Sequence, residues 1–281
     1  MYSERRSEVP GGTVWQVEQP GVPGGSAVPG TVPGGAALPG HAAADLVLPD
    51  GCMDIVWVEG RLLVAGPDTR GHLAPVGPGG SAAGLRLAPG AAPAVLGVAA
   101  HELVDRRVPL DAVWTGRDAR LLADAVERAE TAGPAAGSAA RVARVVEQAF
   151  SGRPGVDGST GDAVGRAVML SMSAAGAGVS QVARATGWSD RQLRRHSLDL
   201  FGYGLATLRR VLRLQAAVRL AAQGWSLAEV ASRSGCSDQA HLTREVVALT
   251  GLTPTAVLPR PVQPSGAKRS TGLPSGSSTV A

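Results

Sequence analysis

Lysine is almost missing from this 281-residue chain: Lys268 stands alone beside 26 arginines. Aromatic residues make up only 3% of the chain, and there are two cysteines, Cys52 and Cys236. Two thiols cannot build a disulfide framework, and with no histidines at ligand spacing they cannot close a structural zinc site of about four ligands. No run of about 18 apolar residues exists, so no membrane helix is expected. The start MYSERRSEVPGG lacks the apolar stretch of a secretion signal, so a cytoplasmic location is expected. Abundant Arg, Ala, Gly and Pro look like the product of a GC-rich bacterial coding sequence.

Catalytic chemistry is also short of parts. Cys52 lies in PDGCMDI between Asp50 and Asp54, whereas a nucleophilic thiol wants positive neighbours and a base. A small residue beside a tight turn explains it better. His41, His72, His101, His196 and His241 show no metal-ligand spacing. The PGG tracts at 10–12, 23–25 and 78–80 lack the Lys-Ser/Thr of a phosphate loop. The expectation is no enzyme, no metal and no cofactor.

What the chain does contain is unevenly placed. Residues 164–260 carry 12 arginines against five acids, a net of +7, so the remainder of this +4 chain nets −3. A basic C-terminal module on a slightly acidic remainder suits a polyanion, most readily nucleic acid. The 38 glycines and 20 prolines cluster too. Residues 19–44 repeat Pro-Gly units and read as a flexible insertion, because that composition cannot pack a core.

An α+β chain is expected: a small β-rich N-terminal domain, 1–115, followed by an all-α module. DIVWVEGRLLVAG reads as a hairpin turning at Glu59-Gly60, and AAGLRLAP as another strand. The stretch after Pro93 reads as short helical turns. Residues 116–162 form a helical connector and linker. Its helices span Asp118–Glu130, with Leu121, Leu122, Ala125 and Val126 on one face, and Ala139–Phe150, with Val142, Val145, Val146 and Ala149. SGRPGVDGSTGD, 151–162, is linker by composition. About seven helices should fill 163–260, and 261–281 should be a disordered tail.

The C-terminal third repeats itself. VSQVARATGWSD, from Val179, aligns with LAEVASRSGCSD, from Leu227, at a spacing of 48. Each copy has a short helix with a small Ala (Ala183, Ala231) where a second helix must cross closely. A Gly then turns the chain, and a Ser or Asp caps the next helix. Ser226 with Glu229 fits a capping box. These are helix-turn-helix units. In the helix from Asp190, Leu193 and Leu200 share one face, while Arg191, Arg194 and Arg195 fall on another arc. In the helix after Asp238, Leu242, Val246 and Leu249 form the buried side, with Gln239, Ala240, Thr243 and Arg244 opposite. Gln pairs with adenine, Arg with guanine, and small apolar groups meet a thymine methyl. Between the units a helix at about Leu205–Ala222 should set their separation. Its apolar half is Leu208, Val211, Leu212, Leu214, Val218 and Ala222. Arg209, Arg210 and Arg213 face elsewhere, to touch phosphates or simply to be solvated.

These residues resemble the AraC/XylS family of transcription regulators over about Val164–Leu258, most specifically in SLAEVASRSGCSDQAHLTREVVALTGLTPTAVL with its closing Gly251, Thr253 and Pro254. The resemblance implies sequence-specific binding of double-stranded promoter or operator DNA by two recognition helices. It assigns base-reading or groove positions to Arg191, Arg194 and Arg195, and to Gln239, Ala240, Thr243 and Arg244. RNA polymerase and an unknown small-molecule effector are candidate further partners; a membrane is not. Ser197 and Val246 depart from the family, which usually has Phe there, and the aromatic usual after the closing Pro is missing. PDGCMDIVWVEGRLLVAGPDT also looks like an uncharacterised N-terminal domain often joined to AraC-type modules. Two rival readings stay open: an interaction protein whose units no longer bind DNA, and a Cys52-dependent alkyl-transfer repair regulator.

Overall fold

Alternating β-branched and aliphatic residues in the N-terminal part produce the expected sheet, larger than the hairpin and single strand read from the sequence. The computed structural model describes residues 2–19, 46–73, 76, 79–114, 116–133, 137–151, 153 and 163–258. The Pro-Gly insertion therefore lies, apart from Gln19, outside the described residues, as do most of the 151–162 linker and all of the 261–281 tail.

Eight strands are described: β1 (Tyr2–Arg6), β2 (Gly12–Glu18), β3 (Leu46–Val47), β4 (Met53–Val58), β5 (Arg61–Ala65), β6 (His72–Leu73), β7 (Ser81–Leu87) and β8 (Arg107–Pro109). Six of them form one antiparallel sheet in the order β1-β2-β7-β4-β5-β8, and β3 pairs with β6. The β4–β5 hairpin turns at Glu59-Gly60 as the sequence predicts. Both residues have positive φ, +50° and +73°, the geometry whose twist matches the flanking strands. The register sets Val14, Leu85, Ile55, Val64 and Val108 in one row across five strands. That row faces the core, since strand side chains alternate between faces.

Two helices cover this face, α3 (Arg117–Thr131) and α4 (Ser138–Ser151), within a residue or so of their predicted bounds. Val142, Val146 and Phe150 of α4 are fully buried in the sheet core. The stripe on α3 differs from the one expected: Ala119, Leu122 and Val126 are buried, while Leu121 is 51% exposed. Positions 119, 122 and 126 follow the three- and four-residue steps of a helix face, and Leu121 falls about 100° off it. The stretch after Pro93 forms α1 (Ala92–Leu96), a 3-10 turn (Ala100–Leu103), β8 and α2 (Leu110–Val113).

The first two strands are an addition to the sequence reading. The segment TVWQVE has strand composition, and EVPGG before it is turn chemistry, so a signal was present. Tertiary contacts fix it in place: Arg5 and Ser7 reach Glu147 on α4.

Seven helices make up the C-terminal module: α5 (Ala163–Ala174), α6 (Val179–Thr186), α7 (Asp190–Phe201), α8 (Leu205–Ala222), α9 (Leu227–Arg233), α10 (Gln239–Thr250) and α11 (Pro254–Val257). They enclose two separate cores. Met169, Val182, Leu193, Phe201, Leu208 and Val211 form the first. Leu214, Ala217, Val230, Ala231, Leu242, Val246 and Leu249 belong to the second. Helix α8 feeds both, and its buried face is turned slightly from the expected one. Ala217 and Ala221 are buried where α9 crosses, whereas Ala222 is exposed. Small side chains at that crossing let the two helices approach.

Candidate nucleic-acid interface

Local capping devices open helices in both helix-turn-helix units. Ser189 accepts from the Gln192 N–H at 3.3 Å, and the Gln192 side chain accepts from the Ser189 N–H at 2.9 Å, which opens α7. Ser226 and Glu229 make the same reciprocal pair at the start of α9. Hydrogen bonds from Ser226 hold the Glu229 carboxyl below its ordinary value. Asp238 caps α10 by accepting from the His241 N–H at 2.7 Å. That bond, first among its contacts, lowers the Asp238 carboxyl's pKa as well. A charged cap at a helix N-terminus is favoured by the orphan N–H groups there.

The resulting faces sort the candidate residues. On α7, Leu193, Ser197 and Phe201 are buried, and Arg191, Arg194 and Arg195 are exposed. No hydrogen bond or ion pair engages these three arginines among the described residues. On α10, Leu242, Val246 and Leu249 are buried. Gln239, Ala240 and Arg244 are exposed and Thr243 is half-buried, its hydroxyl donating to the Gln239 carbonyl at 2.9 Å. Thus each second helix buries one stripe and presents a polar or basic arc beginning in its first turn.

The arginines of α8 occupy a different setting. Arg210 donates to Glu245 of α10 at 3.0 Å, and Arg213 lies 3.8 Å from the same carboxylate. Arg209 donates to the Ala177 carbonyl at 3.2 Å, just before α6. These side chains link α8 to both units. The sequence reading offered only phosphate contact or solvation for them. Their partners lie 32 to 35 residues away in the chain, beyond any helical periodicity.

The departures from family pattern are absorbed locally. Ser197 is completely buried, and its hydroxyl donates to the Tyr203 carbonyl at 2.7 Å, tying the end of α7 to the turn that follows. Val246 packs in the second core.

Elsewhere, Cys52 is a poor nucleophile. Burial chiefly, with Asp50 and Asp54 beside it, pushes its thiol well above the ordinary value. Among the described residues no cluster of His, Cys, Asp or Glu could hold a metal ion, and no helix is long and apolar enough to cross a membrane.

Comparison with known families agrees with this architecture. Residues 182–260 match the family described as a helix-turn-helix domain, and residues 36–109 match a domain of unknown function (DUF6597). The C-terminal module is an AraC-type helix-turn-helix domain. The two matched domains support the likeness to the AraC/XylS family read from the sequence. Among proteins of curated function none matches it. Solved structures with some likeness include two of ToxT from Vibrio cholerae. One is an apo lysine-to-alanine variant from strain SCE256, at 10% identity and a TM-score of 0.39, covering 75% of this chain and 86% of ToxT. The other, from O395, has 8% identity and a TM-score of 0.38, covering 75% and 85%.

Proposed function

We propose that this protein is a transcription regulator that binds promoter or operator DNA and reads two successive major-groove segments with α7 and α10. The observation that carries the reading is the paired exposure of Arg191, Arg194 and Arg195 on one helix and Gln239, Ala240 and Arg244 on the other, with a buried stripe behind each set. Arginine forks onto guanine, glutamine onto adenine, and exposed arginines add the salt-dependent phosphate attraction. Helices of this kind reach bases with their first turns, in grooves about 34 Å apart on one face of the duplex.

The N-terminal domain serves as a sensing or dimerisation unit, and RNA polymerase is a further partner. No catalytic step belongs to this function. The test begins with selection of duplexes from a random pool by the full-length protein. Gel-shift titration of the selected duplex and a scrambled one at two salt concentrations then separates specific from general binding. Selection of a bipartite site supports the reading. Equal, salt-insensitive binding to both duplexes, or none, would sink it.

A further inference from the structure

Both recognition helices end against the same N-terminal unit. In the last turn of α10 the Leu249 carbonyl accepts from the Gly71 N–H at 2.7 Å. Beyond the last turn of α7, the α7–α8 turn sits in a notch of that unit. A Cβ placed on Gly202 would lie 2.6 Å from Val104 Cγ2 and 2.7 Å from Pro67 Cγ. His101 lies 3.4 Å from Asp199 on α7. Between these points the Gln215 side chain of α8 donates to the Pro49 carbonyl at 2.8 Å. The opposite ends of α7 and α10 carry the exposed reading residues.

The turn glycines show that Gly202 answers to the N-terminal unit as well as to its own backbone. Gly202 and Gly251 end α7 and α10 in the same left-handed conformation, φ +82° and +73°. Nothing lies within 4 Å of a Cβ on Gly251, whereas the one on Gly202 collides with two side chains from the N-terminal unit. Two cores joined through one helix can rock about that helix. A third body touching both removes the freedom.

We infer that the N-terminal unit is a brace that fixes the spacing of α7 and α10, with Gly202 and Gly71 as positioning residues, so that the protein accepts one separation of its two base segments. The inference deepens the DNA-reading function and rests on it for that consequence. A loosened brace leaves each helix able to read bases but lets the pair follow DNA of altered spacing.

The test uses the full chain and the selected duplex, with two base pairs inserted between its segments. Wild type should lose about tenfold or more in affinity on the insertion, the scale of losing one segment's contacts. Gly202→Ala should lose only about threefold or less. Gly251→Ala, which bears the same backbone strain without a collision, should behave as wild type. Adding both Val104→Ala and Pro67→Ala to Gly202→Ala, which removes both colliding side chains, should restore discrimination, which strain in the turn alone would not allow. If Gly202→Ala does not fold, Gly71→Pro, which deletes the N–H donor to Leu249, takes its place. A DNA-free readout accompanies these titrations: the distance distribution between spin labels on Ala185→Cys and Ser232→Cys, both exposed, in a Cys52→Ala/Cys236→Ala background. It should be narrow in the wild-type brace and broad in the loosened variants. Undiminished discrimination or an unchanged narrow distribution in those variants overturns the brace. If wild type selects no duplex, DNA reading fails, and the label distances alone decide the brace.

Discussion

Arg195 and Arg244 stand at equivalent places in the two units, each six residues past the cap of its helix, Ser189 and Asp238. The buried Leu193 and Leu242 likewise each stand four past it. Sequence repetition alone sets the first helices 48 apart, while the caps of the second helices lie 49 apart, so the match of the arginines depends on where each helix starts. Both side chains are exposed.

Equivalent position does not require equal use. If Arg195 reads a base, Arg195→Ala costs about 1–3 kcal/mol on the selected duplex and relaxes preference at one end of the site. If Arg244 instead acts on a phosphate, Arg244→Ala weakens all sequences alike and lowers the salt slope by about one. Melting curves first establish that both variants fold. A double variant that binds as wild type would end the regulator reading.

Glu245 holds the back of α10 to α8 through Arg210 and Arg213. Its side chain is 20% exposed and that of Arg210 38%, so solvent weakens the pair. Glu245→Ala should lower stability by about 1 kcal/mol in urea unfolding, and Arg210→Ala by a similar amount. The double variant should cost less than the sum, because both changes remove one interaction. Additive losses would show that the pair is not coupled. A phosphate role for Arg210 predicts instead a lower salt slope with unchanged stability.

Two carboxyls give stability a two-sided dependence on pH. Glu147 accepts from Arg5, the Ser7 hydroxyl and the Glu8 N–H, and Arg5 foremost draws its pKa from 4.5 down to about 2. Its folded value lies below its unfolded one, so its contribution is complete above about pH 4.5 and drains away towards pH 2. Asp54 is the reverse case. Burial lifts it from 3.8 to about 6, against the pull of Arg86 and Trp15. The native state then takes up the proton first, so ionised Asp54 costs stability above about pH 6, relieved as pH falls towards 3.8. Urea midpoints should therefore rise from pH 7 to about 5 and fall below about 4.5. Asp54→Asn should flatten the first limb and Glu147→Gln the second. Unaltered limbs in those variants would refute the assignment.

Cys52 should resist alkylation. With its thiol raised by burial and two acids, iodoacetamide at pH 7 should modify it at least about tenfold more slowly in the folded protein than in urea. Rapid modification that abolishes DNA binding would revive the alkyl-transfer reading.

Local patterning made much of this protein legible in its sequence. The repeat around Val179 and Leu227, the caps Ser226–Glu229 and Asp238, the buried stripes of α7 and α10, and the Glu59-Gly60 hairpin all follow from near neighbours in the chain. Helix periodicity and turn stereochemistry act over a few residues, so the residue types themselves carry that information. Tertiary structure alone decided the rest. It seated β1 and β2 against Glu147, turned the α3 stripe away from Leu121, and gave Arg210 to Glu245 rather than to solvent. It also set Gly71 against Leu249 and Gly202 into the notch of Val104 and Pro67. Each of these joins residues far apart in the chain, and such pairings depend on how whole surfaces fit together, which no local period encodes.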